Sequence, residues 1–167
     1  TFSGRSALAA ILDHLNLSNG IILLPEYICV SAIYPLFKKR LLNPLRFKLT
    51  DNLDQTFNSI FKEINNIGYD NLRAVILNNY FGQNDPILVA KELRNCYPSL
   101  PIIYDSVQDL EGLFNWRERA TWASYQFYSL RKSLPIPDGG IAIGPSISKF
   151  DKLSIERDDS YTSISFS

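Results

Sequence analysis

The 167-residue chain has no methionine, one histidine, two cysteines and no net charge. Each scarcity removes a class of function. His14 is embedded among leucines in a helical pattern, so it reads as structural, and neither a His-based triad nor a His metal site can be assembled. Cys29 and Cys96 lie far apart with no CxxC or Cys/His cluster, which excludes a zinc site and a disulfide framework and leaves both as expected buried apolar filler. Seventeen basic residues balance seventeen acidic ones, without a basic stripe, so nucleic acid is not an expected partner. No apolar run approaches the ~20 residues of a membrane span, and no charged-then-apolar leader is present. A soluble protein of a reducing compartment, the cytoplasm, is the default expectation. The chain also lacks a start residue, opens inside what reads as a motif and ends in the polar DDSYTSISFS. It is expected to be a piece of something longer.

What is present is apolar and alternating. Hydrophobic residues make up 46% of the chain, enough for one domain with a real core. Helical spacing over Arg5–Leu17 predicts a helix capped by Ser3 and ended by Asn19-Gly20. IILL (21–24), stopped by Pro25, predicts a strand buried on both faces. A helix is expected over Tyr27–Lys39 with Pro35 as a kink or break, a marginal strand over 45–49, and a helix over Leu53–Ile67. Next come a strand over 73–81, a helix over Pro86–Tyr97 and strands over 101–106, 122–128 and 140–144. Such alternation predicts an α/β fold, a three-layer α-β-α sandwich with a mainly parallel sheet. One domain is expected over residues 1–145, with 146–167 a polar tail.

In open α/β sheets, ligands bind outside the carboxyl ends of the strands. The polar groups expected there are Asn78, Asn79 and Gly82 after one strand, Asp105, Ser106 and Gln108 after another, and Ser129, Arg131 and Lys132 after a third. Ser3, Gly4, Arg5 and Ser6 open the first helix. Singly each has a plain explanation: Asp105 and SGRS as helix caps, Arg131 as a surface charge, Asp138-Gly139-Gly140 as a hairpin-like turn. Together they match the needs of pyridoxal 5′-phosphate. A lysine amine forms the Schiff base, here Lys132. A carboxylate keeps the pyridine nitrogen protonated, here Asp105. A helix N-terminus with small hydroxyl side chains takes the phosphate, here Gly4, Arg5 and Ser6 with Ser129. Gln108 would lie against the ring.

At these residues the chain resembles the DegT/DnrJ/EryC1 family of aminotransferases, which have the fold type I of pyridoxal-phosphate enzymes. SGRSALAAIL (3–12) is similar to the family's phosphate-binding helix start, with Arg5 where threonine is usual. LLPEYICVSAI (23–33), VILNNYFGQ (75–83), YDSVQDLEG (104–112) and YSLRKSLPIPDGGIAIG (128–144) resemble four further blocks, in order. The resemblance covers about residues 2 to 145. There are departures: Asn79 stands where the family has histidine, Cys29 where it has the ring that stacks on the cofactor, and Phe127 where it has a phosphate-binding serine. Tyr27 is a candidate replacement for the stacking ring, and Ser129 for the serine.

The resemblance implies amino transfer from an amino acid such as glutamate to a keto sugar, nucleotide-linked, for surface polysaccharide or related synthesis. It implies that Lys132 both holds the cofactor and acts as the base, with burial and Arg131 keeping its amine neutral part of the time. Retention of this lysine favours transamination over the family's dehydratase branch. The resemblance also implies a homodimer, and family members carry a small C-terminal domain, which is expected to be missing from residues 1–167. Two other readings fit parts of the pattern: a truncated or degenerate domain without turnover, and a nucleotide-binding α/β module. The second calls for a glycine-rich loop after the first strand, where LLPEY stands instead.

Overall fold

A computed structural model describes residues 1–37, 41–50, 52–82 and 85–145. Among the described residues six helices, α1 (Gly4–His14), α2 (Val30–Phe37), α3 (Leu53–Ile67), α4 (Ile87–Cys96), α5 (Leu110–Phe114) and α6 (Trp116–Arg119), are interspersed with six strands. The strands are β1 (Gly20–Pro25), β2 (Leu42–Phe47), β3 (Leu72–Asn78), β4 (Ile102–Asp105), β5 (Tyr125–Ser129) and β6 (Gly140–Ile143). They form one sheet in the order β2-β1-β3-β4-β5-β6. Every pairing is parallel except β5 with β6. The expected α/β sandwich is therefore present.

Strand alternation builds two cores from the same strands. Ile22 and Leu24 of β1, Ala74 and Ile76 of β3 and Ile103 of β4 face α1 and α2, where Leu8, Ile11, Leu12, Ile33 and Leu36 meet them. Leu23, Val75, Leu77, Ile102 and Tyr104 face the other way, against Ile60 and Ile64 of α3 and Val89 and Leu93 of α4. This is why IILL carries no polar alternation: both of its faces are covered.

Several boundaries differ from expectation. Helix α2 begins at Val30 rather than Tyr27, and the expected end at Lys38-Lys39 lies outside the described residues. Strand β2 runs over Leu42–Phe47, three residues earlier at its start, because it pairs with β1 from Gly20↔Leu42 onward. Strand β3 ends at Asn78 rather than 81, since Phe81 and Gly82 take positive φ of 56° and 71° and turn the chain away. The short helices α5 and α6 were not anticipated. Both cysteines are free and exposed, not buried. The expected polar tail after residue 145 lies outside the described residues.

Candidate active site

Strand parity decides what the sheet offers at its carboxyl end. Asn78, Asp105 and Phe127 are register partners on β3, β4 and β5, and share the face that packs against α1. Helix α1 points its N-terminus at this row. Ser3 caps it, its Oγ accepting from Ser6 N–H at 3.2 Å and its carbonyl from Ala7 N–H at 2.9 Å. The N–H groups of Gly4 and Arg5, in the first turn, have no partner within the helix. A Cβ on Gly4 would sit 2.9 Å from Val107 Cγ1 and 3.1 Å from Ser129 Cβ, so only glycine lets the helix start close on the strand ends.

The register is locked by the first residues of the chain. Gly139 N–H donates to the Phe2 carbonyl at 2.7 Å and Gly140 N–H to the Thr1 carbonyl at 2.8 Å. A Cβ on Gly140 would collide with the backbone of Ser3. The β5–β6 connection, which carries Lys132 on a 3-10 turn (Leu130–Lys132), is thus fastened directly to the residues ahead of α1.

The result is a cleft of about 370 Å³. Six of the seven residues expected at a cofactor site line it: Gly4, Arg5, Asp105, Gln108, Ser129 and Lys132. Ser6 does not; its hydroxyl is 2.8 Å from that of Ser3. Tyr27, Cys29, Asn78, Tyr80, Phe81, Phe127 and Arg131 contribute further wall. Phe127 is buried in the floor at 1% exposure, whereas Ser129, at 6%, is the small hydroxyl facing the helix start. Lys132 is exposed in the isolated chain, not buried as the sequence reading expects. Tyr27 is 70% exposed, with its ring 5.7 Å from that of Tyr80, whose hydroxyl donates to the Tyr27 carbonyl.

Asp105 dominates the electrostatics. Only 3% exposed, it has a carboxyl pushed up to about 6 by burial. The Val107 N–H at 3.2 Å, the charge of Lys132 and the Asn78 amide oppose that rise. A buried acid held partly down by a lysine is a site that favours a cation beside it. The Cys29 thiol is drawn down by its hydrogen bonds with Ser31, 3.1 Å away between side chains, and by Lys132. Tyr80 is pushed up, first by burial and then by Asp105. Among the described residues no group of three or more His, Cys, Asp or Glu could hold a metal ion, and no helix is long and apolar enough to cross a membrane.

Sequence reasoning passed over two features. Tyr80 sits inside the quoted NNYFG block, and its spacing from Tyr27 carries no signal. Buried Asp109 and partly buried Arg119 form an ion pair behind the cleft; Arg119 lies in the run WRER, which reads as a solvated surface.

Neither a family model nor a curated protein matches this sequence. Solved structures do match its fold. NtdA of Bacillus subtilis, with bound cofactor PMP, superposes with a TM-score of 0.66 at 16% identity, covering 86% of this chain and 32% of that one. DesV of S. venezuelae gives 0.65 at 16%, covering 86% and 38%. A DegT/DnrJ/EryC1/StrS aminotransferase of Brucella abortus gives 0.67 at 14%, covering 88% and 41%. The chain therefore spans about a third to two fifths of the length of these neighbours. It has the fold of the fold type I pyridoxal-phosphate aminotransferases, with a DegT/DnrJ/EryC1-type enzyme among its structural neighbours.

Proposed function

We propose that this chain is the cofactor-binding part of a pyridoxal-phosphate-dependent aminotransferase that transfers an amino group from an amino acid such as glutamate to a keto sugar, nucleotide-linked. The carrying observation is that Lys132, Asp105, Ser129 and the start of α1, remote in sequence, line one cleft. The residues fit the cofactor. Asp105 is a buried carboxylate whose raised proton affinity calls for a cationic neighbour, the role of a protonated ring nitrogen. The close approach of Gly4 to Ser129 leaves a helix N-terminus, Arg5 and a hydroxyl together, a donor set suited to a phosphate.

When bound, pyridoxal phosphate supplies an electron sink that stabilises a carbanion next to the transferred nitrogen. The chain's residues do the rest. Lys132 Nζ would anchor the cofactor and, once displaced by the donor amine, would carry a proton between the substrate carbon and the cofactor's C4′ carbon. Asp105 stays ionised, oriented by the Asn78 amide and the Val107 N–H. Arg5 and Ser129 bind the phosphate, and Gln108 borders the ring. A small C-terminal domain and a partner subunit in a homodimer would cover Lys132, which is exposed here.

The test is spectroscopic. Purified protein with pyridoxal phosphate is expected to develop a visible absorption band that Lys132→Ala removes. Indistinguishable binding by the two proteins overturns the role of Lys132. Adding amino donors and assaying the keto acid then separates an enzyme from a degenerate domain, which would capture the cofactor without transfer.

A further inference from the structure

A second polar cluster lies at the same end of the sheet, on the face away from the cleft. Its centre is Arg119, the last residue of α6. The guanidinium bonds Asp85 through Nε at 2.8 Å and Nη2 at 2.7 Å, and pairs with Asp109 through Nη1. Asp109 is 4% exposed and fully engaged: Oδ1 accepts from Gly112 N–H at 2.8 Å, and Oδ2 from Asn79 Nδ2 at 2.8 Å as well as from Arg119. A Cβ on Gly112 would occupy the space of the guanidinium, so the pair keeps this geometry only while the position is glycine. The Tyr128 hydroxyl reaches the Gly112 carbonyl at 3.0 Å and Gln126 Oε1 at 2.7 Å.

Asn79, Asp109 and Tyr128, all tied here, are chain neighbours of residues that line the cleft. Asn79 lies between Asn78 and Tyr80, Asp109 follows Gln108, and Tyr128 lies between Phe127 and Ser129. On β5 the extended backbone sends Tyr128 to the face opposite Phe127 and Ser129, and at Asn79 and Asp109 the peptide link itself joins the two sets. Fixing the hidden set therefore fixes the set that faces the cleft. Buried ion pairs contribute little net stability compared with apolar packing, but they specify geometry.

We propose that Arg119 is a positioning residue: by joining Asp85 to Asp109, and through Asp109 to Asn79 and Gly112, it sets the spacing of the β3, β4 and β5 ends that carry Asn78, Asp105 and Ser129. The consequence for cofactor binding rests on the function proposed above. The rigidity of the rim does not.

The experiment compares wild type, Arg119→Gln and Arg119→Lys by amide hydrogen exchange without cofactor and by titration with pyridoxal phosphate. In Arg119→Gln, exchange over 78–82, 106–112 and 127–130 is expected to quicken by about tenfold while α1 and β1 stay near their wild-type rates. The pyridoxal phosphate dissociation constant is expected to rise roughly tenfold, as when an orienting neighbour of a ligand-binding group is lost, with Arg119→Lys intermediate. Faster exchange spread evenly over the chain overturns the proposal, because Arg119 would then only stabilise the fold. Equal cofactor affinity in wild type and Arg119→Gln also overturns it. Should wild type itself fail to bind pyridoxal phosphate, the proposed function falls, and local loosening alone decides for or against Arg119. If Arg119→Gln does not fold, Asp85→Asn, which alters the partner whose side chain is 32% exposed, takes its place with the same readings.

Discussion

Strands β3, β4 and β5 end with polar groups on both faces of the sheet, and the two faces are built on opposite plans. On one face Asn78, Asp105 and Ser129 border an open cleft with exposed walls, Tyr27 and Phe81 among them. On the other, Asn79, Asp109 and Arg119 are closed around one another, and both oxygens of Asp109 are engaged. The same alternation of side chains produces both. A sheet end can thus combine unsatisfied groups, which a ligand completes, with satisfied ones that keep the first set in place.

The sharpest way to break this contrast is Gly112→Ala. It forces Arg119 and Asp109 apart and leaves buried charge uncompensated, so denaturant unfolding is expected to show a loss on the order of 4 kcal/mol. Next is the open face. Asp105 has an ordinary value of 3.8 unfolded and about 6 folded, so the cofactor-free chain binds more protons folded than unfolded between those values. Its stability is expected to fall as pH rises from about 4 through about 6, by at most about 3 kcal/mol, and to be level above that. Asp105→Asn should flatten this slope, and pyridoxal phosphate should offset it. An unchanged slope in Asp105→Asn would move its source elsewhere.

Smaller effects mark the cleft wall. Tyr80→Phe removes the hydroxyl that bonds the Tyr27 carbonyl and is expected to cost about 1 kcal/mol in thermal or denaturant unfolding. Tyr27→Ala, at an exposed ring, is expected to stay within about 0.5 kcal/mol while weakening cofactor binding if that ring packs on it.

Much of this was legible in the sequence, for reasons that differ by element. The apolar runs IILL and RAVIL gave away β1 and β3 because doubly covered strands have no polar alternation. That Asp105 and Lys132 would meet at one cleft was legible because strand ends tell where to look. The start of β2 was misread because pairing with β1 extends it through Asn43 and Pro44, which propensity disfavours. Helices α5 and α6 are too short for periodicity to register. The Arg119 cluster was invisible because its members are spread over Asp85, Asp109 and Arg119, and only the folded chain turns Arg119, out of a surface-like WRER run, toward the two acids.

The clasp between Thr1-Phe2 and Gly139-Gly140 has a kinetic corollary. It joins stretches separated by nearly the whole described chain, and such distant closures are late events in folding. The helix start and the lysine turn meet only when that closure is made. On the function proposed above, pyridoxal phosphate would accordingly ignore partly folded chains, and its capture would act as a check that the polypeptide has finished assembling.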